Sequence, residues 1–205
     1  MNTPLLVPPG SPDTIGYYQR NAARFIAATA GFDNSALLVP FMRSVVMGGH
    51  VLDAGCGSGR DGAVLARSGF RVTAIDGCAA MVDAANALGL NASVRRVQEI
   101  DDRGVFDGVW AEALMLHVPH SEVPDVISRF ATALTPVGSL FVSVKEGNGE
   151  SVAPDGRFFS YFSQSGFEKS IEDTGRFDVR AFWPTTAPDS GGKEQTWLNF
   201  IARRR

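Results

Sequence analysis

The stretch that most constrains the fold is Val51-Leu52-Asp53-Ala54-Gly55-Cys56-Gly57-Ser58-Gly59-Arg60-Asp61, a short apolar run that breaks into alternating glycines and then into a helical pattern. It reads as strand, tight loop and helix start. Glycines at 55, 57 and 59 let the backbone take positive φ and approach a ligand closely, while the N–H groups of the following helix face whatever lies over the loop. Such a loop holds a nucleotide-like ligand. Gly57 to Gly62 also satisfies the G-x-G-x-x-G dinucleotide fingerprint, so a nicotinamide-dependent oxidoreductase is one reading to be weighed.

Three features oppose it. Asp53 sits two residues before the first glycine, where a carboxylate meets a cationic group and repels a pyrophosphate. The glycines begin directly after that acid, too early for the dinucleotide register. Phe70 to Asp76 is a second strand ending in an acid, roughly 20 residues beyond Gly55, and an acid there suits a ribose diol. Together, Asp53 to Gly59 and Asp76-Gly77 resemble the nucleoside-binding motifs of class I S-adenosylmethionine-dependent methyltransferases. Phe106-Asp107-Gly108-Val109-Trp110 also matches that family's fourth-strand pattern.

The resemblance covers about residues 17 to 202 and implies an α/β fold: a Rossmann-like, seven-stranded, mostly parallel sheet sandwiched by helices, closed by a C-terminal antiparallel hairpin. It implies S-adenosyl-L-methionine as cofactor, held by Asp53, Ala54, Gly55, Gly57, Arg60, Asp76, Gly77 and Ala111, with Met81 against the adenine and Gln98 and Glu99 near its amino group. Tyr18, on a helix before the first strand, would help close the cofactor cleft. Phe158 to Phe162 and the loop before it are loosely similar to small bacterial methyltransferases of the tellurite-resistance type.

Along the chain, prolines at 4, 8, 9 and 12 make residues 1 to 15 an extended arm. Helical patterns follow from Gly16 to Gly31 and from Ser35 to Val46, the second capped by Ser35, with Pro40 kinking it or marking its true start. Residues 1–47 thus read as an arm and helical cap, and 48–205 as the cofactor-binding core. A third strand is expected over Val94 to Ile100, a fourth over Val105 to Ala111 and a fifth over Leu140 to Lys145. Between the last two, Val123, Val126, Ile127, Phe130, Ala131 and Leu134 form the stripe of a helix capped by Ser121. A polar loop from Glu146 to Arg157, a helix near Gln164 to Thr174 and strands at Phe177 to Trp183 and Thr196 to Ala202 complete the order.

A net charge of −3 with 44% apolar residues describes an ordinary globular protein without a basic face, so no nucleic acid is expected. Arg203-Arg204-Arg205 reads as a solvated end. No apolar run approaches the ~20 residues of a membrane helix, and Leu5-Leu6-Val7 lacks a basic leader, which gives a cytoplasmic expectation. Cys56 and Cys78 require neither a disulfide nor a metal, and no metal-ligand spacing is present.

Methyl transfer is an in-line displacement that chiefly needs donor and acceptor held in line; a base matters only for an acceptor with a firmly held proton. His117 and Tyr18 are the candidate catalytic residues, and Lys145, Arg157 and Tyr161 the candidates for binding a small polar or anionic methyl acceptor. A nucleoside-binding module without turnover is the remaining alternative.

Overall fold

The structure, a computed structural model, describes residues 12–188 and 192–205. The expected extended arm lies outside them except at its end, where helix α1 (Thr14–Thr29) begins two residues earlier than its pattern suggests. Asp13 is the reason: its side chain accepts from the Gly16 amide and so caps the first turn. Helix α2 (Ser35–Ser44) contains Pro40 inside it, and its cap position is Asn34 rather than Ser35. Helices α3 (Arg60–Arg67), α4 (Ala79–Ala87), α5 (Val123–Ala133) and α6 (Gln164–Glu172) follow. In α5, Glu122 occupies the cap position expected for Ser121, and the apolar stripe is buried as its spacing requires.

The strands are β1 (His50–Ala54), β2 (Arg71–Asp76), β3 (Asn91–Val94), β4 (Phe106–Ala111), β5 (Leu134–Lys145), β6 (Glu150–Val152), β7 (Phe158–Ser160), β8 (Phe177–Pro188) and β9 (Glu194–Arg204). Seven of them form one sheet in the order β3-β2-β1-β4-β5-β9-β8. The first five are mutually parallel, β9 runs antiparallel to β5, and β8 pairs with β9 as the closing hairpin. Strand order reverses between β1 and β4, which puts a ligand crevice at the carboxyl ends of those strands.

Three local expectations are corrected. The third strand ends at Val94, and Val97–Glu99 is a 3₁₀ turn. The polar loop after β5 contains β6, paired antiparallel with β7 as a separate ribbon. The terminal arginines are tied to the sheet: Arg203 donates to the Ser44 carbonyl and the Ser139 hydroxyl, Arg204 to the Leu134 carbonyl, and Arg205 pairs with Asp178 at 2.7 Å.

Strand alternation divides the sheet into two unlike faces. Leu52, Ala54, Val109, Ala111, Leu140, Val142, Val144, Leu198, Phe200 and Ala202 pack in a wholly apolar layer with α5 and α6. The opposite face packs Val51, Trp110, Phe141 and Ile201 against α2, but the intervening positions are Asp53, Ser143, Lys145 and Asn199, all buried. The polar residues lie toward the end of the sheet where the crevice opens.

Candidate active site

That crevice is a cavity of about 640 Å³, roofed by α1. The glycine loop forms its floor at one end. Gly57 holds φ +52, a left-handed conformation, and a Cβ there would meet nothing within 4 Å, so its backbone lies open to a ligand. Gly59 is required for a different reason: at φ +81, its Cβ would come within 2.9 Å of Ala85 Cα.

Four carboxylates gather at this end around one guanidinium. Asp61 accepts from Asn34 Nδ2 at 2.9 Å, Trp110 Nε1 at 3.2 Å, Arg60 Nε at 2.7 Å and Arg60 Nη2 at 3.1 Å. Glu112 lies 3.8 Å from the same guanidinium. Burial first, then the negative charge of Asp61, pushes the Glu112 carboxyl up to about 7, with Arg60 opposing. Asp53 is buried and its Oδ2 has no hydrogen-bond partner; burial, then Asp61, Glu112 and Asp76, raise its pKa well above the usual carboxylate range. Asp76 ties two loops together, accepting from the Gly57 amide at 2.9 Å and the Cys78 amide at 2.8 Å, and burial raises its pKa against those two bonds. Buried carboxyls with raised pKa values favour a cationic ligand, which would restore their charged form.

The other end carries positive charge among aromatic rings. Lys145, at the end of β5, is buried with its ammonium 4.7 Å from the Phe159 ring centre and 5.6 Å from that of Trp197. Arg157 lies 4.4 Å over Tyr17 and pairs with Asp155 at 2.8 Å. His117 Nδ1 is 2.7 Å from the Phe158 carbonyl, which only accepts, so Nδ1 carries the proton and Nε2 accepts from the Tyr18 hydroxyl at 2.9 Å. Burial lowers the His117 pKa to about 4 and raises that of Tyr18 to about 12. The proton therefore stays on Tyr18, and His117 is neutral near neutral pH.

Of the residues singled out from sequence, Tyr18, Asp53, Gly55, Gly57, Arg60, Asp76, Gly77, Met81, Gln98, His117, Lys145 and Arg157 all line this cavity. Ala54, Glu99, Ala111 and Tyr161 are not among its lining residues. Ala54 and Ala111 point into the apolar face of the sheet. Glu99 turns away because the 3₁₀ turn commits its carboxylate to the Arg96 amide at 2.8 Å, and the Tyr161 carbonyl accepts from His120 Nε2. Sequence reasoning missed Asp61. The signal was Trp110, an indole in a central strand whose N–H needs a buried acceptor.

Comparison with known proteins agrees with this geometry. Residues 51–138 match the model of a methyltransferase domain family. The chain carries a class I S-adenosylmethionine-dependent methyltransferase domain. It is 39% identical over 104 residues to the ubiquinone biosynthesis O-methyltransferase of Xanthomonas oryzae pv. oryzae, a match covering 47% of this chain and 43% of that protein. A second relative of the same description, from Xylella fastidiosa, is 35% identical over 109 residues, covering 49% of this chain and 44% of that protein. The chain thus spans less than half the length of the curated relatives it matches. Among solved structures, the 1,6-didemethyltoxoflavin-N1-methyltransferase of Burkholderia thailandensis, with bound 1,6-didemethyltoxoflavin and S-adenosylhomocysteine, superposes with a TM-score of 0.70 at 23% identity, covering 100% of this chain and 93% of that one. The [4+2]-cyclase SpnF has the same fold, with a TM-score of 0.75 at 17% identity over 95% and 97% of the two chains. The fold alone therefore does not fix the reaction.

The family's cofactor is S-adenosylmethionine, and the residues present fit it. The orphaned Asp53 oxygen and its acidic neighbours answer a ligand with ammonium and sulfonium charges, the open backbone at Gly57 admits one, and each Asp76 oxygen keeps a lone pair for a ribose hydroxyl. No three His, Cys, Asp or Glu side chains among the described residues are grouped to hold a metal ion.

Proposed function

We propose that this methyltransferase acts on a small acceptor, polar or anionic, held at the Lys145 end of the cavity. The observation that carries this reading is the charge division of one cavity, with four carboxyl groups at the Asp53 end and Lys145 and Arg157 at the other. S-adenosylmethionine, when bound, supplies an electrophilic methyl carbon. Asp53, Asp61 and Glu112 balance its positive charge, and Asp76 accepts from the ribose hydroxyls. Helix α1 lies over part of the cavity, and a space of about 640 Å³ matches a small molecule beside the cofactor, which supports a small acceptor over a nucleic acid or protein. Because His117 and Tyr18 hold each other neutral, their part is to shape the roof and donate or accept hydrogen bonds, while Lys145 draws an acceptor that is already anionic or readily ionised. The chain lengths matched in its relatives bear on the domain, and the ubiquinone-precursor chemistry in their names supports a small acceptor.

Calorimetry with S-adenosylhomocysteine and with NAD is the first test. Binding of the former and not the latter is expected, since the acid end repels a pyrophosphate. Methyl-donor consumption across a panel of small phenols, carboxylates and metalloid oxyanions then tests the acceptor; consumption only with nucleic acid or protein would overturn the reading.

A further inference from the structure

Beyond Asp76 the cavity continues into a part that the charge division does not use. In the sheet order β3-β2-β1-β4, the glycine loop follows β1, Asp76 ends β2 and the Val97–Glu99 turn follows β3. A nucleoside with its charged tail at the acid end and its ribose on Asp76 therefore has its base over that turn. The side chains there suit a flat ring, since Met81, Val97, Leu116 and Val118 line the cavity and are buried. They give apolar contact to any purine and little means of telling one from another.

Two polar side chains join them in the lining, Gln98 from the turn and Glu122 from the cap position of α5. Gln98 Nε2 donates to Glu122 Oε2 at 2.9 Å. An amide can present either its N–H or its carbonyl to a ligand, but a carboxylate accepts and does not donate, so this bond settles which way round the Gln98 amide lies. Its Oε1 makes no hydrogen bond with any described residue and is left to accept. Glu122 makes no capping bond to its own helix; its carboxylate is given to Gln98. We propose that Glu122 is a positioning residue for cofactor selection: it fixes Gln98 with the carbonyl toward the base, so that the cavity takes a purine carrying a 6-amino group and turns away one carrying a 6-oxo group. An amino group donates to that carbonyl, whereas an oxo group sets one acceptor against another. The proposal rests on the S-adenosylmethionine reading and adds to it a residue that acts on the ligand through its neighbour.

The test is calorimetric titration with S-adenosylhomocysteine and with S-inosylhomocysteine, which differ only in the base, 6-amino against 6-oxo. Wild type is expected to bind the first about tenfold more tightly, the difference that one hydrogen bond makes. Glu122→Ala should bring the ratio of the two dissociation constants close to one. Glu122→Lys should bring it lower still, because an ammonium only donates and would turn the Gln98 amide round. In a Gln98→Ala background, Glu122→Ala should change nothing further, which marks a residue acting through Gln98. Glu122 is exposed, and a ratio of two ligands on one variant does not depend on how much of that variant is folded. A wild-type ratio near one overturns the proposal, as does a ratio that Glu122→Ala leaves unchanged or lowers equally in the absence of Gln98. Failure of S-adenosylhomocysteine itself to bind wild type would be a different result, rejecting the methyltransferase reading.

Discussion

At the Asp53 end of the cavity, negative charge is crowded into a buried space around a single guanidinium, whereas at the Lys145 end positive charge is spread over aromatic faces beside a neutral His117–Tyr18 pair. At the first end, burial and crowding favour the protonated carboxyls, and a cation would favour the charged ones. The second is at ease without a ligand, since its histidine has given up its charge and its cations lie over rings. The comparison teaches that one cavity can be prepared in two ways: by crowding carboxyl groups that a cationic cofactor would bring back to their charged form, and by laying cations over rings beside a histidine held neutral.

The largest test of that contrast is Asp61→Ala. Asp61 accepts from four donors, and its loss would leave the Trp110 indole N–H without its acceptor and Arg60 with only Glu112 and the Thr29 carbonyl, at a cost of about 3–5 kcal/mol in stability by denaturant unfolding. A loss under about 1 kcal/mol would show that the acid end is organised by something else. Next in size is Asp76→Ala, expected to weaken S-adenosylhomocysteine binding by about 1.5–3 kcal/mol, roughly ten- to a hundredfold. An unchanged dissociation constant would remove Asp76 from the ribose contact.

The smallest effect separates the two ends by pH. Glu112 has a folded pKa of about 7 against 4.5 ordinarily. Its favourable contribution is present below 4.5 and is lost as pH rises through about 7. His117 has a folded pKa of about 4 against 6.5. Its contribution is present above 6.5 and is lost as pH falls through about 4. Across the shared interval the two slopes oppose each other. In melting-temperature profiles of the ligand-free protein, Glu112→Gln should make stability climb more steeply with pH there, and His117→Gln should make it climb less. Profiles parallel to wild type for both variants would erase the electrostatic distinction between the ends.

Legibility in the sequence divides along the same line. The cofactor end is built from one strand–loop–helix and the acid ending the next strand, so its residues announce themselves by local spacing, and the sheet order followed from the alternation of strands and helices. Glu99 could not be told from Gln98 because a short polar run after β3 has no period that separates a strand from a 3₁₀ turn. The acceptor end was legible only as a collection of basic residues. Its walls come from β5, β7, β8 and β9, brought together by non-local pairing, and spacing along the chain carries no record of who faces whom. Ser143 illustrates this: within Leu140 to Lys145 it reads as one polar residue in a buried strand, and only the ladder sets it opposite Asn199.

The roof helix is lightly held. Helix α1 has no fully buried residue, and its fastenings include the Asp13 amide to the Gly156 carbonyl, the Phe158 amide to the Thr14 hydroxyl, Tyr18 to His117, and the Ala80 amide to Gln19. At about 1 kcal/mol each, these four give roughly 4 kcal/mol. With polar fastenings in place of a buried stripe, α1 belongs to the loosely held part of the molecule, and traffic through the cavity would draw on it before it disturbed the strands beneath.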